Sequence, residues 1–294
     1  MSITNNMHLS DNYKLLDKIG SGSFGEVYLT VDNKGKQNAA KVEEKKSNSR
    51  LRDEYDIYKK LYKRGIKKGI PKVVTFIETQ LYNVMIMQLL GDSLESRFNN
   101  NGKKFKLCTI YKIAIDMITL VETLHSGGYI HRDIKPNNFL FNYGNMPETL
   151  YIMDFGLSKS YLTKSKEHIE FRYDRSLVGT ARYTSTNIHM GMEPSRRDDL
   201  ESIIYILLYF LKGTLPWQGL KKDKYHTQIE KIGQVKMCIK LEDLCMDLPK
   251  CLLESLVYCR NLEFNETPDY EKLKNMFLRD AKESNTEINY EWIV

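Results

Sequence analysis

The hydrophobic pattern of this 294-residue chain changes period near Gly91. Before that point, Tyr13–Ile19, Glu26–Val31 and Gln37–Val42 are short β-prone runs separated by GSGSFG and DNKGK, the punctuation of antiparallel hairpins. Leu51, Tyr55, Tyr58 and Tyr62 recur at spacings of three and four, which predicts one helix over Arg50–Lys63. Two further strands, Val73–Glu78 and Tyr82–Leu89, are joined at Thr79 and Gln80 across a tight hairpin. Beyond Gly91, a polar loop at Asn99–Gly102 leads into a 3.6-residue stripe of Leu107, Ile110, Tyr111, Ala114, Met117, Ile118, Val121 and Leu124. A second long helix starts near Asp198, runs through Ile203–Leu211 and stops at Gly213 and Pro216. The expectation is an α+β chain: a five-stranded antiparallel sheet with one helix over 10–90, then a larger, mainly helical part over 91–280. A short tail, 281–294, would complete it.

Hydrophobic residues make up 41% and charged residues 28%, an ordinary globular balance. The longest apolar run, Ile203–Leu211, is about half of the roughly 20 residues a spanning helix needs, so no membrane residence is expected. MSITNNMHLSDNYK has no basic segment followed by an apolar one, and an intracellular, cytoplasmic protein is expected, with the nucleus or a virus-infected host cell as other settings. Five cysteines without a CxxC pair read as reduced, mostly buried thiols. Lys plus Arg exceed Asp plus Glu by 44 to 38, a net charge of +6. The lysine-rich patches are KVEEKK and LKKDK, and the arginines gather at Arg172, Arg175, Arg182, Arg196 and Arg197. A nucleic-acid module needs cations interleaved with exposed aromatics, so no specific nucleic-acid binding is expected.

Gly20, Gly22 and Gly25 form GxGxxG between two strands rather than between a strand and a helix. A dinucleotide fingerprint requires the helix, whereas a strand-turn-strand glycine loop can cover nucleotide phosphates; a flexible hairpin is the plainer alternative. Lys41 alternates with small apolar residues on the third strand, so its ammonium needs a partner. Glu54 on the following helix can supply one, unless both are ordinary surface charges. In YIHRDIKPNNFL, residues 129–140, Asp133 can accept a hydroxyl proton, and Asn138 five residues on can hold a metal ion. Asp154, Phe155 and Gly156 follow the apolar run LYIM, where a carboxylate can reach Mg²⁺ bridging two phosphates.

These motifs, in this order, make the chain resemble the protein kinase superfamily. KIGSGSFGEVYL, GDSLESRF, HRDIKPNNFL, GTARYTSTNIHMG, SRRDDLES and LPWQGL resemble segments of the casein kinase I family within it. The likeness covers about 10–280, and the chain shares that family's lack of an Ala-Pro-Glu end to the activation segment, having Thr184, Ser185, Thr186 and Asn187 there. The resemblance implies a bilobal kinase-like fold, a single kinase domain over 1–294 and a monomer. It implies transfer of the γ-phosphate of ATP to Ser or Thr hydroxyls, with Mg²⁺ or Mn²⁺ as cofactor.

Carried over residue by residue, the likeness implies that Ile19, Gly20, Ser21, Gly22, Ser23, Phe24, Gly25, Val27, Ala39, Lys41, Met87, Gln88, Leu90 and Leu140 surround the nucleotide. Met87 would gate the adenine pocket, with backbone groups of Gln88–Leu90 on the adenine edge. Asp133 becomes the catalytic base, Lys135 the γ-phosphate stabiliser, Lys41 with Glu54 the phosphate anchor, and Asn138 and Asp154 the metal ligands. Asp199 would brace the catalytic loop, and Arg132 would need no activation-segment phosphate. Protein substrates with acidic or already phosphorylated segments would be read by Arg175 and Arg182, helped by Lys222 and Lys224 where relatives carry other basic residues. Tyr225, Gln228, Gln88 and Asn137 depart from the family pattern. A catalytically silent pseudokinase scaffold is the competing reading, disfavoured by the intact Lys41, Glu54, Asp133, Asn138 and Asp154.

Overall fold

The computed structural model describes residues 8–22, 25–46, 49–144, 148–224 and 226–292. The chain runs β1 (His8–Ser10), β2 (Tyr13–Gly22), β3 (Gly25–Asp32), β4 (Gln37–Glu44), α1 (Leu51–Lys63), β5 (Val73–Glu78), β6 (Tyr82–Met87) and β7 (Leu90–Ser93). It continues through α2 (Leu94–Asn100), α3 (Leu107–Ser126), β8 (Tyr129–Ile130), β9 (Phe139–Asn142), β10 (Leu150–Ile152) and β11 (Lys159–Ser160). The remaining helices are α4 (Thr186–His189), α5 (Arg196–Lys212), α6 (Gln228–Cys238), α7 (Leu241–Leu244), α8 (Lys250–Asn261) and α9 (Tyr270–Glu283). Two compact units result: residues through Asp92 with Leu140–Gly156, and Ser93–Phe139 with the chain from Leu157 onward.

The first unit holds an antiparallel sheet in the order β1-β2-β3-β4-β6-β5. It has six strands where the sequence predicts five, because the three residues of β1 pair onto the edge of β2 and are too short to show a period. Strand alternation sorts β3, β4 and β6 into two faces. Tyr28, Ala40, Val42, Val84 and Ile86 join Leu15 in a buried cluster. The opposite face carries Val27 paired with Lys41, Ala39 paired with Met87, and Lys41 paired with Met85. A smaller sheet, β10-β9-β7, completes the unit. Helix α1 starts against β4: the Glu43 carboxylate accepts the Arg50 and Leu51 N–H groups at 3.2 and 3.0 Å, a negative charge at the positive end of the helix. That contact fixes the register in which Leu51, Glu54, Ile57, Tyr58 and Leu61 face inward.

The second unit is mainly helical, with α3, α5, α8 and α9 packed on one another. Helix α5 is buried on nearly every side and ends at Gly213, whose φ of 75° lets its N–H reach the Tyr209 carbonyl at 2.8 Å. Asn99 and Asn100, predicted to lie in a loop, belong to α2: the Ser93 hydroxyl caps the Ser96 N–H at 3.1 Å, and Leu94 and Phe98 are fully buried. The segment after α9 is packed rather than trailing. Tyr290 is buried, donates to Asp116 at 2.6 Å and stacks on Trp292, while Glu291 accepts the Lys106 N–H at 2.6 Å. Among the described residues, no helix is long and apolar enough to cross a membrane. All five cysteines are free, and Cys245, Cys251 and Cys259 are buried.

Candidate active site

In the first unit, the Lys41 ammonium lies 2.7 Å from Glu54 Oε2 and 2.7 Å from Asp154 Oδ1. Lys41 and Glu54 are buried, and the Asp154 carboxylate is about one-fifth exposed. Burial alone would push the Lys41 ammonium down; the two carboxylates more than reverse that and hold it above its ordinary value. Burial pushes Glu54 up to about 7 against the pull of Lys41. Asp154 has a left-handed φ of 68°, and its N–H donates to the Tyr58 hydroxyl at 3.1 Å. Tyr58 itself lies against Phe155 with ring centroids 4.6 Å apart. One helix face therefore supplies both the partner of Lys41 and the brace of Asp154.

The predicted nucleotide residues of this unit fall into two sets. Val27, Ala39, Lys41 and Met87 share one face of the large sheet, with Ala39 and Met87 buried. Ile19, Gly20, Ser21 and Gly22 end β2, where Gly22 pairs with Gly25; Ser23 and Phe24 lie outside the described residues. Gly25 is required where it stands, because its φ is 143° and a Cβ there would sit 2.2 Å from the Val42 carbonyl oxygen. Leu90 and Leu140 occur on the neighbouring strands β7 and β9. Gln88 ties back to Lys72: its N–H donates to the Lys72 carbonyl at 2.8 Å, and its side-chain oxygen accepts the Lys72 N–H at 3.2 Å. Of the backbone groups expected for adenine, the Gln88 N–H is thus already engaged.

In the second unit, the loop from His131 to Asn138 hangs from Asp199 on α5. The Asp199 carboxylate accepts the His131 and Arg132 N–H groups at 2.7 and 2.9 Å and lies 2.9 Å from His125 Nε2. Burial alone would raise this carboxyl; His125 and the His131 N–H reverse that, and it stays below the usual range. Burial lowers His125 from its ordinary value, and in the neutral imidazole with Nε2–H donating to Asp199, Nδ1 accepts from the Tyr270 hydroxyl at 2.7 Å. Arg132 is held at φ 68°, which turns the chain so that Asp133 follows.

The Asp133 carboxylate is gripped on both oxygens. Lys135 Nζ donates to Oδ2 at 2.6 Å, and the Thr180 N–H and hydroxyl donate to Oδ1 at 2.8 and 2.7 Å. The approach of Thr180 depends on Gly179: with φ 88°, a Cβ there would lie 2.3 Å from the Arg132 carbonyl oxygen. Asn138 donates its amide N–H to the Asp133 carbonyl at 2.9 Å, which leaves its amide oxygen as the atom it offers to a ligand. Thr180, Tyr58 and His125 went unpredicted, and GTARY was the nearest signal for the first of them.

The predicted anion-site arginines each have partners of their own. Arg175 Nε is bound to Glu193 at 2.7 Å, and Lys159 holds the other oxygen of the same carboxylate. Arg182 lies over the rings of Tyr183 and Tyr209, 5.7 Å from each centroid. Lys222 and Lys224 are exposed on either side of Asp223, which pairs with Lys231 at 2.7 Å. Arg196 and Arg197, grouped with the others in the sequence, are structural: Arg196 donates to the Asn265 carbonyl and to Thr267, and Arg197 to the Leu262 carbonyl. Tyr225 lies outside the described residues. Gln228 opens α6 and donates to the Leu220 carbonyl at 2.9 Å.

The donor chemistry fits a divalent cation with a nucleotide. In the first unit two carboxylates share the single Lys41 ammonium, with Asp154 the more exposed of them; in the second unit Asn138 keeps a hard amide oxygen to offer. Mg²⁺ takes one or two carboxylates and completes its shell with phosphates and water, so a cage of acidic residues is not required. Among the described residues there is no cluster of three or more His, Cys, Asp or Glu side chains that could hold a metal ion.

Residues 13–262 match the protein kinase domain model. The match spans both units and runs through the glycine-rich turn, the Lys41 group and the Asp133 loop. With most of its length matched and these groups in place, the chain belongs to the protein kinase domain family.

Proposed function

We propose that this kinase is a casein kinase I-like enzyme that transfers the γ-phosphate of ATP to Ser and Thr hydroxyls of proteins rich in acidic or phosphorylated segments. The observation that carries the reading is the grip on Asp133 by Lys135 and Thr180. A carboxylate fixed on both oxygens is preorganised to orient an acceptor hydroxyl and take its proton. Lys135 beside it supplies positive charge for the transferred phosphoryl group. Lys41, fixed by Glu54, anchors the α and β phosphates, and Asp154 and Asn138 hold Mg²⁺ or Mn²⁺. A metal held there would supply positive charge to offset the negative charge on the phosphates. The face bearing Val27, Ala39 and Met87 receives adenine, with Gly20–Gly22 and Gly25–Val27 over the phosphates and Leu90 and Leu140 flanking the base.

Activity without activation-segment phosphorylation is part of this reading. Thr180 is held by Asp133, Ser185 donates to Asp198 at 2.6 Å, and Thr186 donates to Glu201, so ordering the segment needs no added phosphate. Arg182, with a guanidinium fork suited to a phosphate dianion, is the leading candidate for reading a primed residue, with Arg175, Lys222 and Lys224 in support. The reading includes an intracellular setting, where ATP is available, and a monomeric enzyme.

The test is phosphoamino-acid analysis of labelled casein, with phosphoserine and phosphothreonine expected; label on tyrosine would overturn the specificity. For the anion site, Arg182→Ala lowers activity on a phospho-primed peptide more than on an unprimed acidic one. Equal loss on both would remove Arg182 from substrate recognition.

A further inference from the structure

Between Ile57 and Ile77 there is no acidic residue, yet Lys59, Lys60, Lys63, Arg64, Lys67, Lys68 and Lys72 all occur there, and all are exposed. These seven cations exceed the +6 of the whole chain, so everything outside the segment sums to −1. The surface that carries them is built. Helix α1 ends with the Arg64, Gly65 and Ile66 N–H groups on the Lys60, Tyr62 and Leu61 carbonyls, the turn being made at Gly65 with φ 82°. The chain beyond is pinned by Tyr62 on the Ile70 carbonyl at 3.0 Å, by the Ile152 N–H on Gly69 at 2.9 Å, and by Gln88 on Lys72. Leu61, Ile70 and Val73 are buried beneath. The cations are therefore held outward on an anchored scaffold.

Cations in the last turn of a helix are favoured by its dipole, which accounts for Lys60, Lys63 and Arg64. It does not account for Lys67, Lys68 and Lys72 beyond the helix end, and like charges four residues apart, such as Lys59 and Lys63, repel. We propose that this surface docks acidic stretches of the protein substrates, away from the residue being phosphorylated, and so selects acid-rich proteins. The proposal rests on the kinase reading above for its substrate.

The chemistry favours this occupant over two others. Nucleic acid held on such a surface would want exposed aromatics for its bases. Tyr58 is buried, Tyr62 is committed to Ile70, and Tyr55 packs on Phe76. A membrane-binding helix would present apolar side chains for insertion, and here Ile57, Leu61, Ile70 and Val73 face inward. Six of the seven cations are lysines, point charges on flexible stems that match irregularly placed carboxylates better than one fixed phosphate.

The experiment compares the parent with the variant Lys60→Gln, Lys63→Gln, Lys67→Gln, Lys68→Gln on two acceptors: a short peptide, and the same peptide extended by a long run of Asp and Glu. We expect KM for the extended peptide to rise about tenfold in the variant, equivalent to about 1.4 kcal/mol, with kcat and the short peptide unaffected. An unchanged KM, or an equal loss on both peptides, would overturn the proposal. Fluorescence anisotropy of the Asp/Glu run alone reads docking without catalysis: binding by the parent that weakens in the variant and with added salt supports it, and no binding overturns it. Tighter binding of single-stranded DNA or phosphatidylserine vesicles than of the acidic run would also overturn it. Inactivity of the parent on both peptides would sink the kinase reading alone and leave the anisotropy to decide the docking surface.

Discussion

Lys41 and Asp154 stand 113 positions apart in the chain and 2.7 Å apart in the fold. Glu54 shares the same ammonium, so three residues from strand, helix and loop form one buried electrostatic unit. Its geometry is set by the Glu43 carboxylate at the start of α1 and by Tyr58 beneath Asp154.

Removing the ammonium leaves two carboxylates facing one another. For Lys41→Met we expect loss of phosphoryl transfer by at least about a hundredfold and a destabilisation of about 3 kcal/mol, the usual cost of breaking a buried pair. Adding Glu54→Gln removes the uncompensated charge. The double variant recovers part of the stability and none of the activity. Thermal unfolding and a phosphate-transfer assay separate the two effects; recovery of both would mean that Lys41 serves stability alone.

Thr180→Val removes a hydroxyl from Asp133 Oδ1 while keeping the side-chain shape and the backbone N–H bond. We expect kcat to fall about tenfold, with the nucleotide KM unchanged, because one of the donors that orient the carboxylate is lost. A rise in nucleotide KM at constant kcat would assign Thr180 a different role.

Lys236 on α6 is fully buried, and its ammonium donates to the Ala181 carbonyl at 2.8 Å and to the Thr184 carbonyl. It lies over Tyr205 and Trp217, with Glu201 and Arg260 as the charged groups facing it. Burial lowers it from lysine's ordinary 10.5 to about 7. Between those values the unfolded chain holds a proton that the folded protein has shed, so stability from this group rises with pH through that window. Denaturant unfolding of the parent and of Lys236→Met should diverge in the parent's favour above about pH 7, by up to about 1.4 kcal/mol per pH unit. A constant or shrinking gap would show that Lys236 stays charged.

The chemistry was legible in the sequence because it restricts residue type and order. Asp133, Asn138 and Asp154 stand in short motifs, and the glycine loop and Lys41 precede them, an order that pointed to the kinase domain. The partners that hold these groups were less visible. Thr180 reaches Asp133 across 47 positions only because Gly179 can pass close to the Arg132 backbone, and no local pattern encodes such a contact. Arg196 and Arg197 resemble surface charges until Leu262 and Asn265 are seen to accept from them. In α2 the burial of Leu94 and Phe98 overrides the weak helix propensity of its asparagines. On α1 the inward stripe gives the helical signal, whereas the outward lysines carry no period and their density went unread.

The most direct measurement is incorporation of labelled phosphate from ATP and Mg²⁺ into casein by the parent and by Asp133→Asn, with nucleotide binding followed in parallel. We expect the parent to label serine and threonine, and the variant to bind ATP normally while transferring phosphate at least about a hundredfold more slowly. Equal incorporation by both proteins, or none by either, would contradict the assignment of Asp133 as the group that activates the acceptor.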